Sequence, residues 1–294
     1  MFAVEEELTA PNIVALSLMI AVILAGLWSW KRLIQNKKLL EDIKESLRYL
    51  PEFKKPMKAF VALICFLFWI LIPDIYTLIW SQVNEVKLEK FNELPMTVKL
   101  WHMDAVFSLR LLFMGLILFG ASWKKLIRLA DCGFRFDQPL DQIKSGVYSF
   151  FLAMPLVLLV MVLTSPLRSQ EKTHELIKVM QQDGNLSNNL LIGFSVIILA
   201  PLTEELLFRV CLQGAWQERN PSLAIVMTAL LFAFIHGLPD AYPLIPLALI
   251  LGTLYYYKKS YLACVVLHMV FNAFYYCLTL IMHAGESGAA IWPG

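Results

Sequence analysis

Charge is what this chain has least of. Asp, Glu, Lys and Arg together make up 16% of its 294 residues, where a soluble domain carries about 25%. With 59% apolar residues and a mean hydropathy of +0.64, the composition excludes an ordinary water-soluble globule and a disordered chain alike. Cysteine is sparse and scattered. Cys65, Cys132, Cys211, Cys264 and Cys277 form no Cys-x-x-Cys pair, so neither a disulfide framework nor a cysteine zinc site is indicated. The net charge of +2 is too small to suggest a nucleic-acid partner. There is no internal repeat, no low-complexity tract, no Gly-x-Ser-x-Gly and no His-Glu-x-x-His.

What is present is a series of long apolar runs. Eight candidate spans lie at roughly 12–30, 59–80, 104–122, 147–164, 188–208, 222–238, 243–257 and 261–282. In lipid an isolated span must pair its own backbone groups, and the runs are too long and too uniformly apolar for barrel strands. The expected fold is therefore all-α, a polytopic membrane bundle of about eight helices. The first run does not read as a cleavable signal peptide, because Glu5, Glu6 and Glu7 stand where a basic region would precede it. A division follows: 1–146 with the first three spans and a basic segment at 31–58; 147–187 with the fourth span and an external amphipathic stretch; and 188–294 as a core.

Basic residues set the expected orientation. Segments 31–58 and 124–144, with Arg209, Arg219, Lys258 and Lys259, hold 18 Lys or Arg, whereas 81–103 and 165–187 hold six. The positive-inside rule places the first group in the cytoplasm and both termini on the other side. The 31–58 segment reads most simply as a solvated connector, with a helix lying on the membrane surface as the alternative.

Ionisable groups inside spans are expensive and tend to have a reason. They concentrate in the last third: Glu204, Glu205 and Arg209 in the fifth span, His236 at the end of the sixth, His268 and Asn272 in the eighth. Glu205 and Arg209 are one turn apart and can neutralise each other. Glu204 is rotated about 100° from Glu205 and can face another neighbour. His268 and Asn272 share a face, and Phe232 lies one turn before His236. Counted from the turns at Pro221 and Ser260, Glu204, His236, His268 and Asn272 fall in one layer, in the cytoplasmic half.

A carboxylate and an imidazole meeting in a dry pocket can hold and deprotonate water. A second imidazole and an amide can stabilise the oxyanion formed when that water attacks a peptide carbonyl. The chemistry expected is amide hydrolysis within the membrane, on a membrane-embedded or lipidated peptide, with no cofactor. Two alternatives stand beside it. Glu204, His236 and His268 are adequate zinc ligands. A non-proteolytic scaffold or transporter could also use buried polar groups to bind a partner or solute.

The stretches EELLFR at 204–209, FAFIH at 232–236 and HMVFN at 268–272 resemble three motifs of the CPBP family. That family comprises the CAAX-type prenyl endopeptidases and the bacteriocin-processing intramembrane proteases, with motifs Glu-Glu-x-x-x-Arg, Phe-x-x-x-His and His-x-x-x-Asn. The resemblance covers about 70 residues, and nothing in the first 185 adds to it. It implies an intramembrane endopeptidase in which Glu204 and His236 activate water, His268 and Asn272 form the oxyanion hole, and Glu205, Arg209 and Phe232 support the site.

Plainer readings apply to single residues. Glu205–Arg209 is most simply a structural ion pair at the membrane boundary. Phe232 is packing. Asp104 and Arg110, inside the third span, are expected to snorkel to the surface. His102, His174 and His283 fall in segments expected to be exposed.

Overall fold

In the computed structural model the described residues are 10–48, 56–135, 137–167, 185–238 and 240–286. The external stretch expected at 165–187 lies almost wholly outside them, as does His174. Among the described residues the helices are α1 (Ala10–Gln35), α2 (Lys37–Arg48), α3 (Ala59–Val83), α4 (Met96–Trp123) and α5 (Pro139–Leu163), then α6 (Leu186–Trp216), α7 (Pro221–Phe234), α8 (Ala241–Lys258) and α9 (Tyr261–Glu286). None of the described residues forms a strand. The chain is an all-α, multi-pass membrane bundle.

Local chemistry sets several of the helix ends. Asn185 accepts from the Ser187 N–H at the start of α6, and Asn220 accepts from Leu223 N–H before Pro221 opens α7, the usual N-cap arrangement. Gly237, at φ +76°, makes the left-handed turn between α7 and α8, where a Cβ would be strained.

Six helices are long and apolar enough to cross a bilayer: α1, α3, α4, α5, α6 and α9. The other two of the eight expected helices, α7 and α8, are shorter or less apolar. Helix α7 has 14 residues, about 21 Å at 1.5 Å per residue, short of the roughly 30 Å hydrocarbon core. In α8, Pro243, Pro246, Tyr255–Tyr257 and Lys258 dilute the apolar run. Both short helices are sheltered by protein. Ala229, Phe232 and Ala233 of α7 and Leu247, Ala248 and Leu251 of α8 are fully buried, so neither helix has to match the lipid thickness alone.

Helix α5 is the hub, packing against α1, α8 and α9, while α3 pairs with α4 and with the second half of α6. Glycines permit two of these approaches. A Cβ on Gly26 of α1 would stand 2.5 Å from Pro155 Cγ of α5, and one on Gly146 of α5 would stand 2.6 Å from the Ala263 carbonyl of α9. Small residues let helix backbones close up where no hydrophobic effect drives association. The outward faces of α1, α3 and α4 carry exposed Leu24, Leu67, Leu116 and Phe119, as a lipid-facing surface requires.

Helix α2 corrects the connector reading of 31–58. It is amphipathic: Leu39, Leu40, Ile43 and Leu47 are half-buried, while Lys37, Lys38, Glu41 and Lys44 are exposed.

Candidate active site

Helix α6 is not a uniform α-helix. It widens to π turns at Ser195–Leu199 and Leu206–Gln213, with an α segment, Ala200–Glu205, between them. Such wide turns recur at functional sites. Here they flank the two adjacent glutamates, which face different partners.

Glu204 is 8% exposed. Its Oε2 lies 4.0 Å from Nε2 of His236 and 4.0 Å from Nε2 of His268. The two rings come from different helices, α7 and α9, and Phe232 sits against both, with centroid separations of 5.0 Å to His236 and 5.6 Å to His268. Each ring is fixed through its other nitrogen. His236 Nδ1 meets the Phe232 carbonyl at 2.8 Å, and His268 Nδ1 meets Glu205 Oε1 at 2.8 Å. A carbonyl oxygen only accepts, and so does an ionised carboxylate. Both Nδ1 atoms therefore carry the proton, and both Nε2 atoms are turned to Glu204.

Behind His268 runs a buried polar chain. Arg209 Nε donates to Glu205 Oε2 at 3.1 Å, its Nη1 reaches Gln213 Oε1 at 3.4 Å, and Gln213 Nε2 donates to the Gly252 carbonyl at 2.8 Å. Glu205, Arg209 and Gln213 are all 0% exposed. The expected structural ion pair is present and is fully enclosed by protein, and Glu205 spends its second oxygen on an imidazole. Helical spacing predicts the pairing but carries no information on depth. Gly252, which sequence reasoning passed over, leaves room for the chain, since a Cβ there would stand 3.0 Å from Gln213 Oε1 and 3.3 Å from Arg209 Nη1.

Asn272 is one turn beyond His268 on α9, but its Nδ2 donates to the Val196 carbonyl at 2.8 Å. The local backbone explains why. In the π turn the Ala200 N–H bonds to the Ser195 carbonyl, five residues back. The next donor in that register, for Val196, would be residue 201, and Pro201 has no N–H. Asn272 supplies the missing donor from another helix and retains one amide hydrogen. The structure thus brings Glu204, His236 and His268 together, stacks Phe232, Glu205 and Arg209 behind them, and joins Asn272 to the α6 backbone.

Further polar residues within the spans are anchored rather than snorkelling. Asp104 of α4 is 5% exposed and accepts from the Ser195 hydroxyl. Arg110 donates from Nε to the Trp69 carbonyl at 2.9 Å, with Cζ 4.0 Å from the Trp69 ring centroid. His102 is half-buried, not exposed: Nε2 lies 3.2 Å from Thr77 Oγ1, and Tyr76, Trp80 and Phe91 surround the ring. An ionisable residue within an apolar run was the available signal for Asp104 and Arg110. Their partners could not be read from spacing.

Among the described residues, no three His, Cys, Asp or Glu side chains are grouped as metal ligands would be. Residues 186–274 match the family model described as Rce1-like, type II CAAX prenyl endopeptidase Rce1-like. All the residues of this site, from Glu204 to Asn272, fall inside that match. No curated protein and no solved structure matches the chain.

Proposed function

Starting from an Rce1-like domain of the CPBP membrane-protease family, whose members are hydrolases of peptide bonds, we propose that this chain cleaves a membrane-associated or lipidated protein by water activated at Glu204 and His236. The observation that carries the reading is the pair of equal separations, 4.0 Å, between Glu204 Oε2 and the two imidazole Nε2 atoms. A contact of that length is bridged well by one water, with an ordinary hydrogen bond on either side.

Glu204 takes a proton from the water as its oxygen attacks the peptide carbonyl, and His236 Nε2 orients the water. Negative charge then builds on the carbonyl oxygen. The step requires His268, held through Nδ1 by Glu205, to carry a proton on Nε2 as well, and that N–H donates to the oxyanion. Asn272, one turn beyond His268, retains a second amide hydrogen that would serve the same oxyanion. Collapse of the intermediate breaks the C–N bond, and the proton on Glu204 passes to the departing amine. Glu205 and Arg209 hold His268 in place, and Phe232 fixes the spacing of the two rings. With the buried Arg209 set aside, the 17 other basic residues assigned to one side support a site in the cytoplasmic half of the bilayer, with the termini on the other side.

The test is cleavage of a membrane-tethered peptide by the purified full chain in detergent. Glu204→Gln should lower turnover by about 10²–10⁴-fold while leaving unfolding unchanged. Undiminished turnover would falsify the assignment, and a cellular phenotype fully supported by Glu204→Gln would point to a scaffold or transporter instead.

One observation favours a second reading. Both imidazoles are anchored through Nδ1 and present Nε2, which is also how zinc-binding histidines are oriented by their outer partners. Glu204, His236 and His268 are not grouped as metal ligands in this structure; were they to close around zinc, the ion would activate the same water. Metal analysis separates the two: stoichiometric zinc, lost together with activity on chelation, would replace the metal-independent mechanism.

A further inference from the structure

Away from the site, α1, α2, α5 and α8 enclose a cavity of about 580 Å³, within the range of sites that hold small molecules. No residue of the Glu204 cluster lines it. Its walls are Trp30 and Leu33 of α1, Leu152 of α5, and Leu249, Ile250 and Leu254 of α8. Three of the five hydroxyls in the wall already donate to carbonyls within the protein. Ser145 donates to the Asp141 carbonyl at 2.8 Å, Tyr148 to the Ser29 carbonyl at 2.8 Å, and Thr253 to the Leu249 carbonyl at 2.9 Å. The interior is therefore mostly apolar in its chemistry as well as in its composition.

Helix α2 supplies one side of it. Leu39, Leu40 and Ile43 turn inward onto the cavity, and the opposite face of α2 is exposed and charged. An amphipathic helix of this kind lies in the interface between headgroups and acyl chains, which puts the mouth at headgroup depth. Two cations line the cavity, Lys144 of α5 and Lys258 of α8. Lys144 is exposed. Lys258 Nζ lies 3.4 Å from Asp141 Oδ2, a carboxylate itself largely exposed, so this contact is loose. Lys31, Arg32, Lys37 and Lys38 follow along the α1–α2 junction.

We propose that this cavity binds one anionic membrane phospholipid, with an acyl chain among Leu33, Leu249 and Leu254 beneath α2 and the phosphate held by Lys144 and Lys258. The apolar interior selects a hydrocarbon chain, and the lysines select negative charge over a neutral headgroup. A lipid seated there joins α2 to α5 and α8 from within. The site does not depend on the hydrolytic reading.

The experiment uses the full chain, purified from vesicles holding equal amounts of phosphatidylglycerol and phosphatidylcholine, with retained lipid counted by mass spectrometry of the intact protein. About one phosphatidylglycerol per chain is expected. Retention should favour it over phosphatidylcholine about tenfold or more. Lys144→Glu with Lys258→Glu should abolish the preference, and Thr253→Trp, which fills the cavity, should abolish retention. Lys144→Gln, at an exposed position, serves if the double variant does not fold, and should reduce the preference by itself. Equal retention of the two lipids by the unaltered protein overturns the proposal. So does displacement of the bound lipid, mole for mole, by a farnesylated peptide, which would make the cavity part of the substrate path.

Discussion

Helices α1 and α6 are similar in apolar content and opposite in use. Only 17% of the apolar window of α1 is buried inside the protein, as in α4, whereas 50% of that of α6 is. Where lipid is the neighbour, any large apolar side chain serves, and the outer faces of α1 and α4 are filled with Leu, Ile and Phe without further pattern. Where protein is the neighbour, α6 carries Glu204, Glu205, Arg209 and Gln213, each with a partner. Buried charge survives only when paired and hydrogen-bonded, so information is dense in α6 and thin in the shell.

The contrast can be broken most severely at Arg209. Arg209→Met leaves Glu205 buried beside His268 without its cation, and should cost about 3–5 kcal/mol, read as a fall in the denaturant midpoint in detergent. Leu24→Ala, on the lipid face of α1, should stay within about 0.5 kcal/mol. Next comes Glu205→Gln, which keeps the shape but weakens the hold on His268. On the proposed function it should lower turnover about 10–100-fold and shift the pH profile, with KM little changed. A stability loss with an unshifted profile would reduce Glu205 to a packing role.

Glycines sharpen the comparison at smaller scale. Gly146→Ala presses a methyl against Ala263 and Val266 of α9, and should cost about 1–3 kcal/mol. Gly115→Ala, where nothing lies within 4 Å, should be neutral or slightly stabilising.

The last effect, absent at neutral pH, concerns Cys132, in the turn between α4 and α5. Burial, helped by Asp131 and Glu218, pushes its thiol up to about 12 from a usual 9.0. The unfolded chain therefore loses this proton first as pH rises, and the site's contribution to stability declines from about pH 9 towards 12. The unaltered protein should lose more stability over that window than Cys132→Ala does. At pH 8 the native thiol should resist iodoacetamide, which attacks thiolates, and should react once the chain is unfolded.

The fold was legible because lipid imposes simple rules. Each of the eight apolar runs overlaps a helix, and the two shortest of those helices, α7 and α8, are the ones where burial by protein relaxes the length requirement. The layer count was informative too, since it set Glu204, His236 and His268 at one level and the structure places them in contact range. What the sequence withheld was depth and partner choice. Nothing in the spacing of Glu205 and Arg209 distinguishes a boundary pair from one fully enclosed, and nothing near Asn272 reveals that Val196, 76 residues away, awaits a donor. Asp104 and Ser195, 91 residues apart, illustrate the same point.

The wide turn at Ser195–Leu199 behaves as one surplus residue wound into a helix. Excising a single position there would let the coil tighten to its ordinary pitch, with no acid, base or amide removed. The two portions of α6 would keep nearly their mutual phase, because five residues of a π turn pass round the axis about as far as four of an α turn, so the glutamates would hold their bearings and only the local widening would be lost.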